Sequence, residues 1–124
     1  MTKYRYEVLI GDVALRIREL IKQTCDSLEV QILSGAVSKD HIHLLVSAPP
    51  TIAPSELVRL LKGRSALKIL SEYSHLKRKY WGGHFWARGY FCVTVGQMTE
   101  DMIKAYIEHH FTPEDLDNFK LEGN

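Results

Sequence analysis

Apolar residues recur every three or four positions in three stretches of the chain, which is the spacing of an amphipathic helix. These stretches cover residues 13–28, 54–74 and 99–110. Pro54 suits the first turn of the second helix, and Thr99 suits the N-cap of the third, where two acidic residues follow it. The apolar positions of the second stretch are Leu57, Leu60, Leu61, Leu67, Leu70 and Tyr73. The pattern therefore predicts three helices.

Segments rich in β-branched and aromatic residues lie between and before the helices. Residues 4–10 predict a short strand or the end of one. Residues 29–38 and 41–47 predict the two arms of a hairpin, joined by a tight turn at Lys39 and Asp40. A further strand is predicted at residues 90–95.

The order of these elements is strand stub, helix, hairpin, helix, strand and helix, which predicts an α+β fold in which helices cover one face of an antiparallel sheet. Gly35 is a candidate β-bulge within the hairpin. Residues 77–89 are basic and aromatic, and they predict an irregular segment between the second helix and the last strand.

Length and composition narrow the class of protein. With 124 residues, the chain predicts a single domain over residues 1–124. No stretch approaches the roughly 20 apolar residues of a membrane span, and no signal peptide opens the chain, so we expect no membrane partner. Cys25 and Cys92 lie apart from any C-x-x-C pattern, and we expect both to be reduced core residues of a cytoplasmic protein.

The net charge of +1 does not indicate nucleic acid, but the basic residues are unevenly distributed. The candidates for nucleic-acid contact are Lys62, Arg64, Lys77, Arg78, Lys79 and Arg88. Four aromatic residues accompany the later members of this set: Tyr80, Trp81, Phe85 and Trp86. Aromatic faces stack on unpaired bases while cations hold phosphates. The alternative is that the aromatic residues are anchored in the core and the charged residues form a solvated rim. The core role is favoured for Trp86, whereas phosphate contact is favoured for residues 77–79.

Two pairs of residues carry candidate chemistry. His41 and His43 flank Ile42 in a predicted strand, so both imidazoles share one face and can reach one metal ion, while Ile42 points into the packed layer. Tyr106 and His110 are four residues apart on the last predicted helix and share a face. Each pair has a plainer interpretation, because histidine pairs occur by chance, Tyr106 can be a core aromatic, and a histidine near a helix C-terminus is favoured by the helix dipole.

Six short segments together resemble the IS200/IS605 family of single-tyrosine transposases, which belong to the HUH class (His, hydrophobic residue, His). They are DHIHLLV (40–46), PP (49–50), LKGRS (61–65), FWARGYF (85–91), VG (95–96) and KAYIE (104–108). Their order along most of the chain makes the resemblance far more specific than one H-x-H motif.

The resemblance implies a fold, a reaction and partners. The fold is the ferredoxin-like, RRM-like sheet of the HUH class. Family members cut and rejoin single-stranded DNA at hairpin-marked element ends through a 5′-phosphotyrosine intermediate, as homodimers. Carried over to this sequence, Tyr106 is the nucleophile, and His41, His43 and His110 hold a divalent metal, Mg²⁺ or Mn²⁺. The helix of Tyr106 can complete the site of its own subunit or of its neighbour, with Gly96 as the pivot.

Two positions depart from the family pattern. His110 stands where the family usually has glutamine, which keeps a ligand but shifts the metal preference toward softer ions. The chain begins almost at the end of the family's first strand, so we expect that strand to be truncated.

Other functions remain open at the level of the sequence. One is an inactive or domesticated descendant that binds hairpin DNA without cutting it. Another is an HUH nickase of the replication or relaxase kind, although the short chain and the position of Tyr106 near its end favour a transposase. A metal phosphoesterase with a water nucleophile would typically need acidic ligands or a second histidine motif near the first.

Overall fold

The computed structural model describes residues 1–90, 92 and 99–110, without the side chains of residues 100, 107, 109 and 110. The elements in chain order are α1 (Gly11–Ser27), β1 (Gln31–Val37), β2 (Ile42–Ser47), α2 (Pro54–Glu72), α3 (Ser74–Lys79) and α4 (Glu100–His110). This mixture of helices with an antiparallel strand pair confirms the predicted α+β class.

Helix α1 forms where the helical spacing predicts it, and its apolar stripe supplies much of the core. Its buried residues are Val13, Ile17, Leu20, Ile21, Thr24 and Cys25. After the helix, Glu29 adopts a positive φ of 58°, and the backbone N–H of Val30 bonds the carbonyl of Cys25 at 2.8 Å. This turn reverses the chain and starts the hairpin beneath α1.

The hairpin of β1 and β2 is antiparallel, as predicted, but its irregularity lies at Leu33 and not at Gly35. Gly35 pairs regularly with Leu44, whereas the register shifts between Ile32 and Ser34. Successive side chains of a strand point to opposite faces, so residues five positions apart normally lie on opposite faces. The extra residue at position 33 shifts this alternation and lets Ile32 and Val37 both face the core.

Helix α2 begins at Pro54, as predicted, and it packs on α1. Leu57 and Ile69 are buried, and so is Ser65, whose hydroxyl donates to the carbonyl of Leu61 at 2.6 Å. The prediction that Leu67 belongs to the apolar stripe is wrong, because this side chain is 74% exposed. The spacing of apolar residues allows Leu67 to belong to the buried stripe. Because Ser65 and Ile69 face the core, however, the side of α2 that carries Leu67 faces solvent.

The prediction of an irregular segment at residues 77–89 is partly wrong, because α3 takes up residues 74–79. Tyr73 ends α2 with an extended backbone (φ −119°, ψ 94°), and a second short helix then starts. The burial of Leu76 explains why this basic segment forms a helix, because Leu76 anchors one face of α3 in the core while Lys77, Arg78 and Lys79 remain exposed.

The prediction of a strand at residues 4–10 is also wrong. Residues Lys3–Arg5 form a 3₁₀ turn, in which Tyr4 and Arg5 have positive φ angles of 63° and 54°. Sheet-like pairing occurs earlier, at Thr2, which forms an isolated antiparallel bridge with Trp86. The turn directs the chain away from that bridge and toward the start of α1.

The predicted strand at residues 90–95 and its break at Gly96 lie largely outside the described residues. Cys92 is described and is exposed, so the prediction that it is a core residue is wrong. Cys25 is buried as predicted, and burial raises the pKa of its thiol to about 11. Among the described residues, no helix is both long and apolar enough to cross a membrane.

Gly63 lies inside α2 at an exposed position, and a Cβ added there would meet nothing within 4 Å. Glycine in a helix interior costs about 1 kcal/mol relative to alanine. We therefore expect Gly63→Ala to raise the free energy of unfolding by about 0.5–1 kcal/mol. Urea unfolding of the two proteins measures this difference, and an unchanged or lower midpoint would contradict the expectation.

Candidate functional site

The histidine pair lies where the hairpin turn enters β2. The backbone N–H of Ser38 bonds the carbonyl of His41 at 2.8 Å and closes the turn. The prediction that His41 lies within the strand is therefore wrong, because β2 begins one residue later, at Ile42. The rings of His41 and His43 are nevertheless neighbours, with centroids 4.7 Å apart and planes at 87°. Ile42 packs against the core, as predicted, so the two imidazoles share the opposite side of the strand.

Asp40 ties His41 to the N-terminal segment. Its carboxylate accepts a bond from Nδ1 of His41 at 2.7 Å and one from Nε of Arg5 at 3.3 Å. The hydrogen bond with His41 is the main cause that lowers the pKa of Asp40 below its usual value. A carboxylate on Nδ1 stabilises the tautomer with the proton on that atom, which leaves the lone pair of Nε2 for a ligand.

The N-terminal residues hold this turn in place. The backbone N–H of Thr2 bonds the carbonyl of Asp40 at 2.8 Å, and the N–H of Lys3 bonds the carbonyl of Phe85 at 2.8 Å. Thr2 is fully buried, and its hydroxyl donates to the carbonyl of Tyr6 at 2.7 Å. The sequence pattern marks Asp40 as a turn residue and as the first residue of the DHIHLLV segment, but it does not indicate that Asp40 bonds His41 or Arg5. The one local signal is that an acidic residue directly precedes the H-x-H motif.

Helix α4 carries the candidate nucleophile. The hydroxyl of Thr99 accepts a bond from the backbone N–H of Met102 at 3.2 Å, which confirms the predicted N-cap. Tyr106 is half-buried on this helix, and His110 is its last residue, one turn further on. The side chain of His110 lies outside the described part of the molecule, and so does the Gly96 pivot.

A third metal ligand is not identified within the described residues. Among the side chains that the structure describes, which do not include those of Glu100, His109 and His110, no three histidine, cysteine, aspartate or glutamate groups lie so that they could hold a metal ion. Imidazole is a ligand type that Mn²⁺ and Zn²⁺ accept, so the metal role of His41 and His43 stays a prediction. The role of His110 as the additional ligand stays a prediction.

Of the six basic residues predicted to contact nucleic acid, Lys62 is half-buried and the other five are exposed. Three of the six have partners within the protein: Lys62 donates to the carbonyls of Ala87 (2.9 Å) and Gly89 (2.6 Å), Arg64 donates to Ser27 Oγ (2.9 Å), and Lys79 Nζ lies 4.4 Å from the ring centre of Tyr6. Burial lowers the pKa of Lys62. Lys62 thus fixes the loop that contains Arg88, whatever further contact it makes.

The four aromatic residues of the same region have separate roles. Tyr80 and Phe85 are buried, so neither can stack on a base. Trp86 is half-buried and its indole N–H donates to Ser65 Oγ at 2.9 Å, which supports its interpretation as a core anchor. Trp81 alone of the four is exposed.

Comparisons with known proteins identify the family of this chain. The family described as Transposase IS200 like matches residues 1–110. The ISDra2 transposase TnpA of Deinococcus radiodurans is 38% identical over 106 residues, which are 86% of this chain and 76% of that protein. The transposase for insertion sequence element IS200 of Salmonella typhimurium is 36% identical over 107 residues, 86% of this chain and 70% of that one.

A solved structure supports the same relationship. A crystal structure from Deinococcus radiodurans R1, described as a transposase, superposes with a TM-score of 0.70 at 34% sequence identity, covering 87% of this chain and 83% of that chain. The fold and these matches define a transposase, an enzyme class that cuts DNA. The chain belongs to the IS200-like transposase family, as its motifs indicate.

Proposed function

We propose that this transposase cuts and rejoins single-stranded DNA at hairpin-marked element ends, with Tyr106 as nucleophile and a divalent metal at His41, His43 and His110. The observation that carries the proposal is the histidine pair, whose rings lie 4.7 Å apart beside a carboxylate that fixes one of them. Such a carboxylate–histidine arrangement is typical of histidines that ligate metals.

The reaction is a transfer of one phosphodiester bond. The phenol oxygen of Tyr106 attacks the scissile phosphorus and loses its proton, and the 3′ oxygen leaves and gains one. The products are a 5′-phosphotyrosine and a free 3′ hydroxyl. In the second step a 3′ hydroxyl attacks the phosphotyrosine, and the tyrosine oxygen becomes the leaving group, so the strand is rejoined without another energy source.

A metal bound at the histidines would polarise the scissile phosphate and neutralise the charge that develops on its oxygens. Mg²⁺ or Mn²⁺ fits the proposed reaction, and three imidazoles would favour Mn²⁺ over Mg²⁺ because nitrogen ligands suit softer ions. The role of this chain is to hold the imidazoles: Asp40 orients His41, and Arg5 and Thr2 position Asp40.

We further propose that the transposase acts as a homodimer in the cytoplasm. An exposed strand edge is normally paired or covered, and a two-fold pairing of equivalent strands is a common solution in homodimers. Two sites in one dimer also suit a reaction that joins two DNA ends. Sedimentation at micromolar concentration tests the assembly, and a monomer with or without hairpin DNA would contradict it.

The experiment that tests the function is incubation of the protein with labelled single-stranded DNA of its own element end, with Mn²⁺ or Mg²⁺, followed by a denaturing gel. We expect a covalent adduct that depends on the metal and is lost with a chelator. Tight hairpin binding without any adduct would instead identify a descendant that binds DNA and does not cut it.

The support that Asp40 gives to His41 leads to a separate prediction. Asp40→Asn keeps an acceptor for His41 Nδ1 but removes the charge, and loss of a carboxylate behind a ligating histidine typically weakens metal affinity about 10-fold or more. Calorimetric titration with Mn²⁺ measures the loss. The control is Arg5→Gln, for which we expect a smaller change because the Arg5 side chain is exposed and its bond to Asp40 is longer. Equal affinity in Asp40→Asn and the unmodified protein would refute the orienting role.

A further inference from the structure

Trp81 is exposed to an unusual degree. It is 90% exposed, the largest exposed fraction among the large apolar side chains of the described residues. Tryptophan is usually well covered in folded proteins, because its large apolar surface is costly to leave in water. An indole that remains uncovered in the folded chain is a candidate contact for a partner.

The turn that carries Trp81 is fixed on both sides. The backbone N–H of Gly83 bonds the carbonyl of Tyr80 at 2.7 Å and closes a tight turn with Trp81 at its tip. Tyr80 and Phe85, which flank the tip, are 2% and 1% exposed, and their ring centres lie 5.2 Å apart. Gly83 has a φ of +81°, a conformation that favours glycine. The indole is therefore presented by a tip anchored in the core.

The surroundings of Trp81 favour a polyanion. Residues 73–99 contain four lysine or arginine residues and no aspartate or glutamate. Lys77 and Arg78 occupy the last turn of α3, immediately before the tip, and both are exposed. Cations beside an exposed aromatic ring are the combination that binds single-stranded nucleic acid, in which each base offers a π-face and each linkage a phosphate.

We propose that Trp81 stacks on an unpaired base of the DNA substrate while Lys77 and Arg78 contact the neighbouring phosphates. The inference rests on the proposed function only for the identity of the ligand as single-stranded DNA. It assigns to the tip of residues 80–83 a role in holding the strand, distinct from the chemistry at Tyr106 and the histidines.

The test compares binding of an oligothymidylate with that of an abasic strand of equal length, which keeps the phosphates and removes the bases. For Trp81→Ala, we expect affinity for the oligothymidylate to fall by about 5- to 100-fold, the usual contribution of one stacked base, and affinity for the abasic strand to stay within about 2-fold. Thermal unfolding should be unchanged, because the side chain is exposed.

Two further variants identify the interaction. Trp81→Phe keeps an aromatic face and should retain most of the affinity, whereas Trp81→Leu keeps apolar surface without a π-face and should behave like Trp81→Ala. The double variant Lys77→Ala/Arg78→Ala should weaken binding to both strands and reduce the dependence of affinity on salt. Equal affinities of Trp81→Ala and the unmodified protein for the oligothymidylate, or equal losses on both strands, would overturn the inference and leave Trp81 as a contact for another protein.

This experiment separates the inference from the proposed function, because it measures binding without cleavage. An adduct at Tyr106 together with undiminished binding by Trp81→Ala would refute only the stacking role. A base-dependent loss in Trp81→Ala without any covalent adduct would support the stacking role and refute the cutting reaction.

Discussion

Tyr106→Phe should abolish covalent attachment to DNA, lowering the rate of adduct formation by at least about 1000-fold, the scale seen when a catalytic nucleophile is removed. Binding of the same strand should change by less than about 2-fold, because the ring of Tyr106 is half-buried and phenylalanine preserves its packing. A denaturing gel with labelled element-end DNA measures the adduct, and a native binding assay measures the affinity.

The matched control is another tyrosine of the same region. Tyr90 is exposed and can reach solvent, so Tyr90→Phe removes a second accessible phenol and should leave adduct formation intact. Tyr80 is a weaker candidate for the nucleophile, since it is buried and desolvation raises the pKa of its hydroxyl to about 12. An adduct that persists in Tyr106→Phe and disappears in Tyr90→Phe would move the nucleophile to Tyr90.

The elements that the sequence predicts well are those with a strong internal pattern. The bounds of helices α1, α2 and α4 lie within about two residues of those that the apolar spacing predicts, and the hairpin follows from two strand-like runs around a short polar turn. Local chemistry also marks their beginnings, with Pro54 at the start of α2 and Thr99 as the cap of α4. These features depend on neighbours within one turn or one strand, which a sequence displays directly.

The predictions from the sequence are wrong where tertiary contacts determine the local structure. The bulge moves from Gly35 to Leu33 because both ends of β1 must face the core, and glycine offers no packing reason of its own. Residues 4–10 contain strand formers, but the chain turns at Tyr4 and Arg5 while Thr2 makes the sheet-like pairing. Neither choice is visible without knowledge of what packs against each segment.

The candidate site shows the same division. The common face of His41 and His43 follows from strand alternation, and the structure confirms that their rings are neighbours. Alternation gives no information about Arg5, which reaches Asp40 from 35 positions away, or about Lys62, which holds carbonyls 25 and 27 positions further on. Charge in a sequence marks candidates for DNA contact, but only the fold shows which of those charges already have partners.

The histidine pair gives the second large expected effect. His43→Ala removes one of two neighbouring imidazoles from an exposed position, so we expect Mn²⁺ affinity to fall by at least about 100-fold, with metal-dependent adduct formation lost as well. The fold should tolerate the change, with a loss of less than about 1 kcal/mol in the free energy of unfolding, as is usual for surface positions.

A direct measurement of Mn²⁺ binding tests the histidine ligands without assuming that Tyr106 is the nucleophile. Calorimetry or electron paramagnetic resonance of bound Mn²⁺ reports on the ligands even if Tyr106 is not the attacking group. The matched control is His84→Ala, which removes an exposed imidazole from a different loop and should leave the Mn²⁺ affinity unchanged. If both variants bind Mn²⁺ as the unmodified protein does, the metal is held elsewhere, and the pairing of Asp40 with His41 would then serve only to brace the hairpin turn.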